Sequence, residues 1–334
     1  MYNKGDIIRV EISDMGKDGE GIGKIDTFPF FIKDTVTGDV VDAIVMKSKK
    51  NYAFAKLKEI VKPSPDRVTP PCPVAKSCGG CRIMEMSYEA QLRYKQSKVT
   101  SALCHIGGLD EAVLERITEP ILGMEDPFRY RNKSIYPVAP GKDGRILSGF
   151  FASRTHSVIE CDECIIGIPE NSVIRKTVLK WMKEYGAEPY DEKNGSGLVR
   201  DIFIRKAFAT GELQVCLITT GRKLPAEKEL VSALKEIPGM VSICLCVNNR
   251  DSNVILGDEL HVLYGREWIE DELMGLKFRI SPLSFYQVNP VQTKHLYETA
   301  LEFADLKGGE RVWDICCGIG TITLAAADRL RSLG

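Results

Sequence analysis

Three cysteines within a short stretch of the chain could together bind a soft metal. Cys72, Cys78 and Cys81 are spaced as Cys-x5-Cys-Gly-Gly-Cys, and Cys161 and Cys164 follow later in the chain. Zinc sites usually combine two Cys-x2–4-Cys pairs, whereas a compact triplet with one remote cysteine is more typical of a cuboidal iron–sulfur cluster. The spacing therefore predicts a metal site and favours iron and sulfide over zinc. The alternatives are buried structural cysteines or disulfide bonds.

A glycine loop near residue 320 is the second candidate site. Asp314-Ile-Cys-Cys-Gly318-Ile-Gly320 is predicted to follow a short buried strand at 311–316 and to open a helix at 321–330. In a doubly wound α/β domain, such a loop lets a nucleotide approach the helix N-terminus. A dinucleotide fingerprint needs glycine where the chain has Thr323. The acid before the glycines instead favours S-adenosylmethionine, and the alternative is a structural turn.

Two segments combine aromatic with polar side chains in a way that suits RNA. In Ser284-Phe-Tyr-Gln-Val-Asn289, aromatics and amides can stack on a planar base and bond its edge. We interpret Asn289, which precedes Pro290, as a helix N-cap, and Gln287 as the functional candidate. In Phe128-Arg-Tyr-Arg-Asn-Lys133, aromatics alternate with cations that can contact phosphates. The alternative for this second segment is a strand with a solvent-exposed face.

The bulk composition excludes several classes of protein. The 334 residues carry a net charge of -1, so an overall electrostatic attraction to nucleic acid is absent, although a local basic groove remains compatible. No run of eighteen apolar residues occurs, which argues against a membrane span. The N-terminus lacks the apolar region of a signal peptide. Eleven cysteines without such a signal predict a cytoplasmic location.

The pattern of elements predicts a multidomain fold. Short apolar runs separated by turn residues over 1–61 are typical of an OB-like β-barrel of about five strands. A proline-rich linker then leads into a central α+β iron–sulfur domain, together 62–275. Its helical segment 87–125, with Ser87 as the expected N-cap, is expected to pack on the C-terminal domain. Residues 276–334 are predicted to begin a Rossmann-like, doubly wound α/β domain.

Four motifs taken together resemble a known family. The cysteine triplet, Tyr130-Arg-Asn-Lys133, Ser284-Phe-Tyr-Gln-Val-Asn289 and Asp314-Ile-Cys-Cys-Gly-Ile-Gly-Thr321 occur in the order found in RNA uracil-C5 methyltransferases. The most similar branch is the bacterial 23S rRNA enzymes, which carry an N-terminal TRAM barrel and a 4Fe-4S cluster. The resemblance extends over nearly the whole chain. It implies a cytoplasmic, monomeric enzyme that uses S-adenosylmethionine and acts on 23S rRNA, with 276–334 as an incomplete methyltransferase domain.

The resemblance also implies roles for individual residues. It makes Cys164, which precedes an apolar stretch ended by Pro169, a better fourth cluster ligand than Cys161. Cys316 stands where the family usually has an aromatic residue, so its contact to the cofactor is expected to be weaker. The implied cluster ligands are Cys72, Cys78, Cys81 and Cys164; the implied S-adenosylmethionine contacts are Gln287, Asp314, Cys316, Gly318, Gly320 and Thr321; and the implied RNA contacts are Arg129, Arg131, Lys133 and Phe285.

The family reaction begins when a cysteine thiolate adds to C6 of uracil, after which C5 takes the methyl group and a base removes the C5 proton. The resemblance places the nucleophilic cysteine and the base beyond Gly334, so no catalytic residue is assigned here. The chain is accordingly expected to be a truncated enzyme that does not methylate RNA. The alternative is a non-catalytic RNA-binding iron–sulfur protein. A radical enzyme is disfavoured because a fourth cysteine is available to close the cluster.

Overall fold

The N-terminal part of the chain is a closed five-stranded barrel. The computed structural model describes residues 2–332. The barrel strands lie side by side in the order β1-β2-β3-β5-β4, so no strand of the barrel keeps an open edge. Alternate residues of β1 point inward, among them Ile8, Val10 and Ile12. The predicted barrel over 1–61 is confirmed. Its strands are β1 Ile7–Met15, β2 Gly21–Ile25, β3 Phe28–Ile32, β4 Val40–Ser48 and β5 Ala53–Lys62.

A buried carboxylate fixes the turn before β4 to the chain that leaves the barrel. Asp39 is 0% exposed, and it accepts hydrogen bonds from the backbone N–H groups of Val36 at 2.7 Å and Ser64 at 2.9 Å. The guanidinium of Arg67 donates to the same carboxylate, at 2.6 Å from Nη2. Burying a charge is tolerated when it is paired and hydrogen-bonded in this way.

Two helices complete the first of two compact units; along the chain, the first unit ends at Asp126 and the second begins at Pro127. They are α1 Tyr88–His105 and α2 Glu111–Ile117. The predicted N-cap of α1 is confirmed, because the Ser87 hydroxyl accepts a hydrogen bond from the N–H of Ala90 at 3.2 Å.

The second unit is built on a seven-stranded sheet with the order β12-β11-β10-β9-β6-β7-β8. Its strands are antiparallel neighbours except for β10 and β11, which are parallel and are joined through helix α4. Helix α3 packs on the sheet through Ile174, Val178 and Trp181. The strands are β6 Lys133–Pro140, β7 Ile146–Phe151, β8 Val158–Glu160, β9 Val199–Lys206, β10 Leu213–Thr219, β11 Met240–Val247 and β12 Glu259–Gly265, and the helices are α3 Glu170–Tyr185 and α4 Glu227–Lys235.

A hairpin and two helices follow the sheet. The turn of the hairpin is Met274-Gly275, with φ of 55° and 78°, values that suit the tight turns preferred between antiparallel strands. The predicted Asn289 cap is confirmed, since its side chain accepts from the N–H of Gln292 at 3.0 Å. The elements are β13 Ile269–Leu273, β14 Leu276–Ile280, α5 Pro290–Ala304 and α6 Thr321–Arg331.

The predicted fold class, which ended in the separate start of a Rossmann-like domain, is wrong. The segment 276–334 belongs to the same compact unit as the sheet. Phe278 and Tyr297 share a hydrophobic core with Ala207, which directly follows β9. Among the described residues no strand covers 311–316, because this stretch has no neighbouring strand to pair with. Its apolar side chains are exposed instead: Val312, Trp313 and Ile315.

Candidate cofactor and RNA site

A buried arginine holds the segment that connects β14 to α5. Arg205 on β9 is 1% exposed, and it donates from Nη1 to the carbonyl of Ser281 at 2.6 Å and from Nη2 to the carbonyl of Ser284 at 3.0 Å. Burial lowers the pKa of Arg205 to about 10, and the nearby Tyr286 opposes this. The guanidinium therefore remains charged at neutral pH while it fixes two carbonyls of the segment.

A second buried residue holds the other end of the same segment. Asn132, which is 1% exposed, donates from Nδ2 to the carbonyl of Gln287 at 2.9 Å. The backbone N–H of Asn132 donates to the carbonyl of Val288, also at 2.9 Å. Both bonds use backbone carbonyls, so neither consumes the side-chain amide of Gln287.

Between these two attachments the segment presents an aromatic ring to solvent. Phe285 is 68% exposed. Its neighbour Tyr286 is buried, and its hydroxyl donates to Asp271 at 3.4 Å. Burial raises the pKa of Tyr286, and Asp271 raises it further, which keeps the phenol protonated as a donor. The buried tyrosine fixes the orientation of the backbone from which Phe285 projects.

The glycine loop is held by two hydrogen bonds between side chains. The Thr323 hydroxyl donates to the Asp314 carboxylate at 2.6 Å, and the Tyr297 and Thr321 hydroxyl oxygens are 2.7 Å apart. Gly318 and Gly320 have φ of 57° and 79°, a region in which glycine is favoured because it has no Cβ. The predicted loop-to-helix transition is therefore present, with α6 beginning at Thr321. Cys316 and Cys317 are exposed beside it.

The two predicted cofactor segments pack on one hydrophobic core. Tyr286, next to Gln287, belongs to the same buried cluster as Tyr297 and Ala325. Ile319 of the glycine loop also contacts this cluster. The structure therefore supports both segments from a shared set of side chains.

The predicted RNA-contacting cations fall into two groups. Arg129 donates to the Cys164 carbonyl at 3.1 Å and forms an ion pair with Glu163, so its guanidinium already binds the chain. Lys133 pairs across the sheet with Arg205. Burial lowers the pKa of Lys133, and the charges of Arg205 and Arg131 lower it further. Lys133 and Arg205 thus lie on the same face of the sheet, and Arg131 adds a third positive charge near Lys133; these three residues are the cationic cluster.

The predicted cluster ligands are divided between the two units. Cys72, Cys78 and Cys81 lie in the first unit, where the N–H of Gly80 donates to the Cys78 sulfur at 3.4 Å. Cys164 lies in the second unit. Within residues 2–332 no group of three His, Cys, Asp or Glu side chains is placed to hold a metal ion.

Comparison with other proteins identifies the family. The TRAM domain model matches residues 3–58. An uncharacterized RNA methyltransferase of Clostridium tetani is 43% identical over 96% of this chain and 69% of its own length. Another, from Halalkalibacterium halodurans, is 44% identical over 98% of this chain and 71% of its own length.

The chain belongs to the RNA methyltransferase family.

A solved structure shares the fold of this RNA methyltransferase. The tRNA (uracil-54, C5)-methyltransferase of Pyrococcus abyssi, in complex with S-adenosyl-L-homocysteine, matches with a TM-score of 0.73 and 24% identity, over 96% of this chain and 70% of its own. Both kinds of comparison extend through nearly all of the chain. The matches run through 276–334 together with the sheet, so the fold prediction that set this segment apart as the start of a separate domain is wrong.

Three residues that position the site in this methyltransferase were not predicted from the sequence. Asn132 lies inside the motif 128–133, in which only the cations were predicted to have a role. Arg205 and Tyr297 lie in a strand and a helix without a recognisable motif. Their partners are distant in sequence, so local spacing gives no signal. The one available clue was a charged residue, Arg205, directly after the apolar run 202–204 of β9. No helix among the described residues has the length and hydrophobicity needed to cross a membrane.

Proposed function

We propose that this RNA methyltransferase transfers a methyl group from S-adenosylmethionine to C5 of a uridine in 23S rRNA. The observation that carries the proposal is the fixed segment 281–288, which presents Phe285 beside Gln287 on the core shared with the glycine loop. An exposed aromatic next to an amide suits a base that has left its stack. The Pyrococcus abyssi protein of the same fold is a uracil-C5 methyltransferase of tRNA, which agrees with this reaction.

The proposed residues divide the work between cofactor and RNA. Adenosylmethionine, when bound, supplies an electrophilic methyl group. In the proposal its contacts come from Gln287, Asp314, Cys316, Gly318, Gly320 and Thr321, as the sequence predicts. Phe285 stacks on the base, while Arg131 and Lys133 contact phosphates; Arg129, held by Glu163, orients the adjoining backbone. The proposal assigns no residue as the nucleophile or as the base.

An iron–sulfur cluster on Cys72, Cys78, Cys81 and Cys164 is proposed from the cysteine spacing and the family resemblance. One contact is compatible with it, since an N–H group directed at a cysteine sulfur, as from Gly80 to Cys78, is common around such clusters. The described side chains do not converge on a metal position, so no step of the reaction is assigned to the cluster.

Analysis of iron and sulfide in anaerobically purified protein tests the cluster. The expected result is about four of each per chain, by analogy with four-cysteine ligation. Cys164→Ser should bleach the protein, whereas Cys161→Ser should not, because Cys161 is 3% exposed and its carbonyl binds Arg175. A colourless protein that contains one zinc ion contradicts this assignment.

Deletion of the gene tests the proposed reaction. RNA from the deletion strain should lose 5-methyluridine at one or more positions of 23S rRNA, and the gene on a plasmid should restore it. A loss confined to tRNA would support the same reaction with tRNA, instead of 23S rRNA, as the substrate. Unchanged 5-methyluridine in both RNAs would support a non-catalytic RNA-binding protein instead.

A further inference from the structure

The segment between β14 and α5 is attached to the central sheet at both of its ends. Its two ends, 281–284 and 287–288, are each attached to the central sheet by one buried side chain, Arg205 on β9 and Asn132 directly before β6. These two strands are neighbours, paired through Lys133 and Arg205. Both attachments therefore come from one rigid support.

Both attachments end on backbone carbonyls of the segment, so neither of them uses its side chains. Arg205 spans two carbonyls with two nitrogens of a planar guanidinium, a geometry that a lysine ammonium cannot reproduce. Asn132 contributes both its side-chain amide and its backbone N–H to consecutive carbonyls. Phe285, between the attachments, is left 68% exposed. Holding an aromatic group in one orientation before binding reduces the ordering cost of binding.

We propose that Asn132 and Arg205 form a two-point clamp, which fixes Phe285 in the orientation needed to bind the RNA base and Gln287 in the orientation needed to contact adenosylmethionine. Both are positioning residues, because their bonds end on the backbone of the segment. The proposal rests on the proposed function for the identity of the ligand. The clamp itself depends only on contacts within the second unit.

Three single variants of the full chain separate the clamp from general stability. Asn132→Ala removes the side-chain donor to Gln287, and Arg205→Lys keeps the charge but not the double attachment. Asn171→Ala is the matched control: Asn171 is a similarly buried amide in the same unit, 4% exposed, but it donates to the Ser134 hydroxyl at 3.2 Å rather than to the segment.

Amide hydrogen exchange of a peptide covering 281–288 reports on the clamp directly. Exchange should become about tenfold faster in Asn132→Ala and in Arg205→Lys, the factor that corresponds to one net hydrogen bond. It should stay unchanged in the control. Equal exchange in all four proteins overturns the clamp.

A double-variant cycle with Phe285→Ala tests whether the clamp acts through the aromatic ring. Affinity for a short uridine-containing RNA, measured by fluorescence anisotropy, should fall about tenfold in Asn132→Ala, a loss of the same order as one hydrogen bond. In the Phe285→Ala background, Asn132→Ala should cause almost no further loss. Additive losses mean that Asn132 acts elsewhere and contradict the proposal.

The two measurements also keep the clamp distinct from the proposed function. If the unaltered chain binds neither the RNA nor adenosylmethionine, the proposed function fails, while the exchange experiment still decides whether the clamp exists. If binding is normal and the exchange rates do not respond, the clamp is wrong and the function stands.

Discussion

The barrel and the β14–α5 segment are each organised by one buried charged residue, and the two charges are handled differently. In the barrel, Asp39 is neutralised by Arg67 at 2.6 Å and accepts two backbone N–H groups. In the second unit, Arg205 donates to two neutral carbonyls. Lys133, its cross-strand partner on β6, is also a cation.

This difference indicates two different uses of a buried charge. The ion pair in the barrel has no net charge with which to attract a further ion, so we interpret it as structural. The cluster of Arg205, Lys133 and Arg131 keeps excess positive charge in a partly desolvated place, where an anion such as a phosphate is attracted more strongly than at an open surface. Removing each charge should therefore have different consequences.

The largest expected effect comes from the barrel. Asp39→Ala leaves the Arg67 guanidinium without its carboxylate, and breaking a buried pair in this way costs about 3–5 kcal/mol. Hydrogen exchange of barrel amides should show this loss in opening free energy. Asp42→Ala is the control, because it removes an exposed ion pair with Arg9 and should have little effect. A small loss at Asp39 would mean that the pair is not structural.

The same pair should make the barrel sensitive to acid. Burial alone would raise the pKa of Asp39, but hydrogen bonds from Arg67, Ser64 and Val36 together lower it below the ordinary value of 3.8. A carboxyl with a lower pKa in the folded state stabilises fully above the unfolded value, and this contribution is lost as the pH falls through the folded value. Barrel stability should therefore fall below pH 4 in the unaltered chain and change less in Asp39→Ala.

A smaller loss is expected at the buried cation. Arg205→Met leaves the carbonyls of Ser281 and Ser284 without their donors, which costs about 1–3 kcal/mol, while the removal of a desolvated charge offsets part of it. Urea unfolding followed by tryptophan fluorescence measures this effect, since Trp181, Trp268 and Trp313 all lie in the second unit. A loss as large as that at Asp39 would remove the contrast between the two charges.

The sequence predicted what depends on near neighbours and missed what depends on distant ones. The barrel strands, the caps at Ser87 and Asn289 and the loop-to-helix transition at Thr321 all follow from local alternation or capping. The strand predicted at 311–316 was wrong because a strand requires a partner, which an apolar run does not supply. Arg205 could not be assigned because its partners, Ser281 and Ser284, lie far along the chain.

RNA binding should respond to the cations rather than to total charge. Arg131→Ala combined with Lys133→Ala should reduce the slope of log affinity against log salt by about 1.4, twice the roughly 0.7 per contact of single strands. The control is Lys176→Ala with Lys180→Ala, which removes the same charge from exposed positions on α3. Equal slopes in both double variants would show that the cationic cluster does not contact phosphate.

The smallest effect on stability is expected where the sequence prediction failed. Trp313 is 80% exposed, although its apolar neighbours predicted a buried strand. Substitution of an exposed side chain usually changes stability by less than about 0.5 kcal/mol, so Trp313→Gln should leave the urea midpoint nearly unchanged. Trp181, which is 3% exposed in the sheet core, is the comparison: Trp181→Ala should cost about 3–5 kcal/mol. A loss at Trp313 approaching that at Trp181 would show that 311–316 is packed in solution, and the exposed conformation of this stretch would then be wrong.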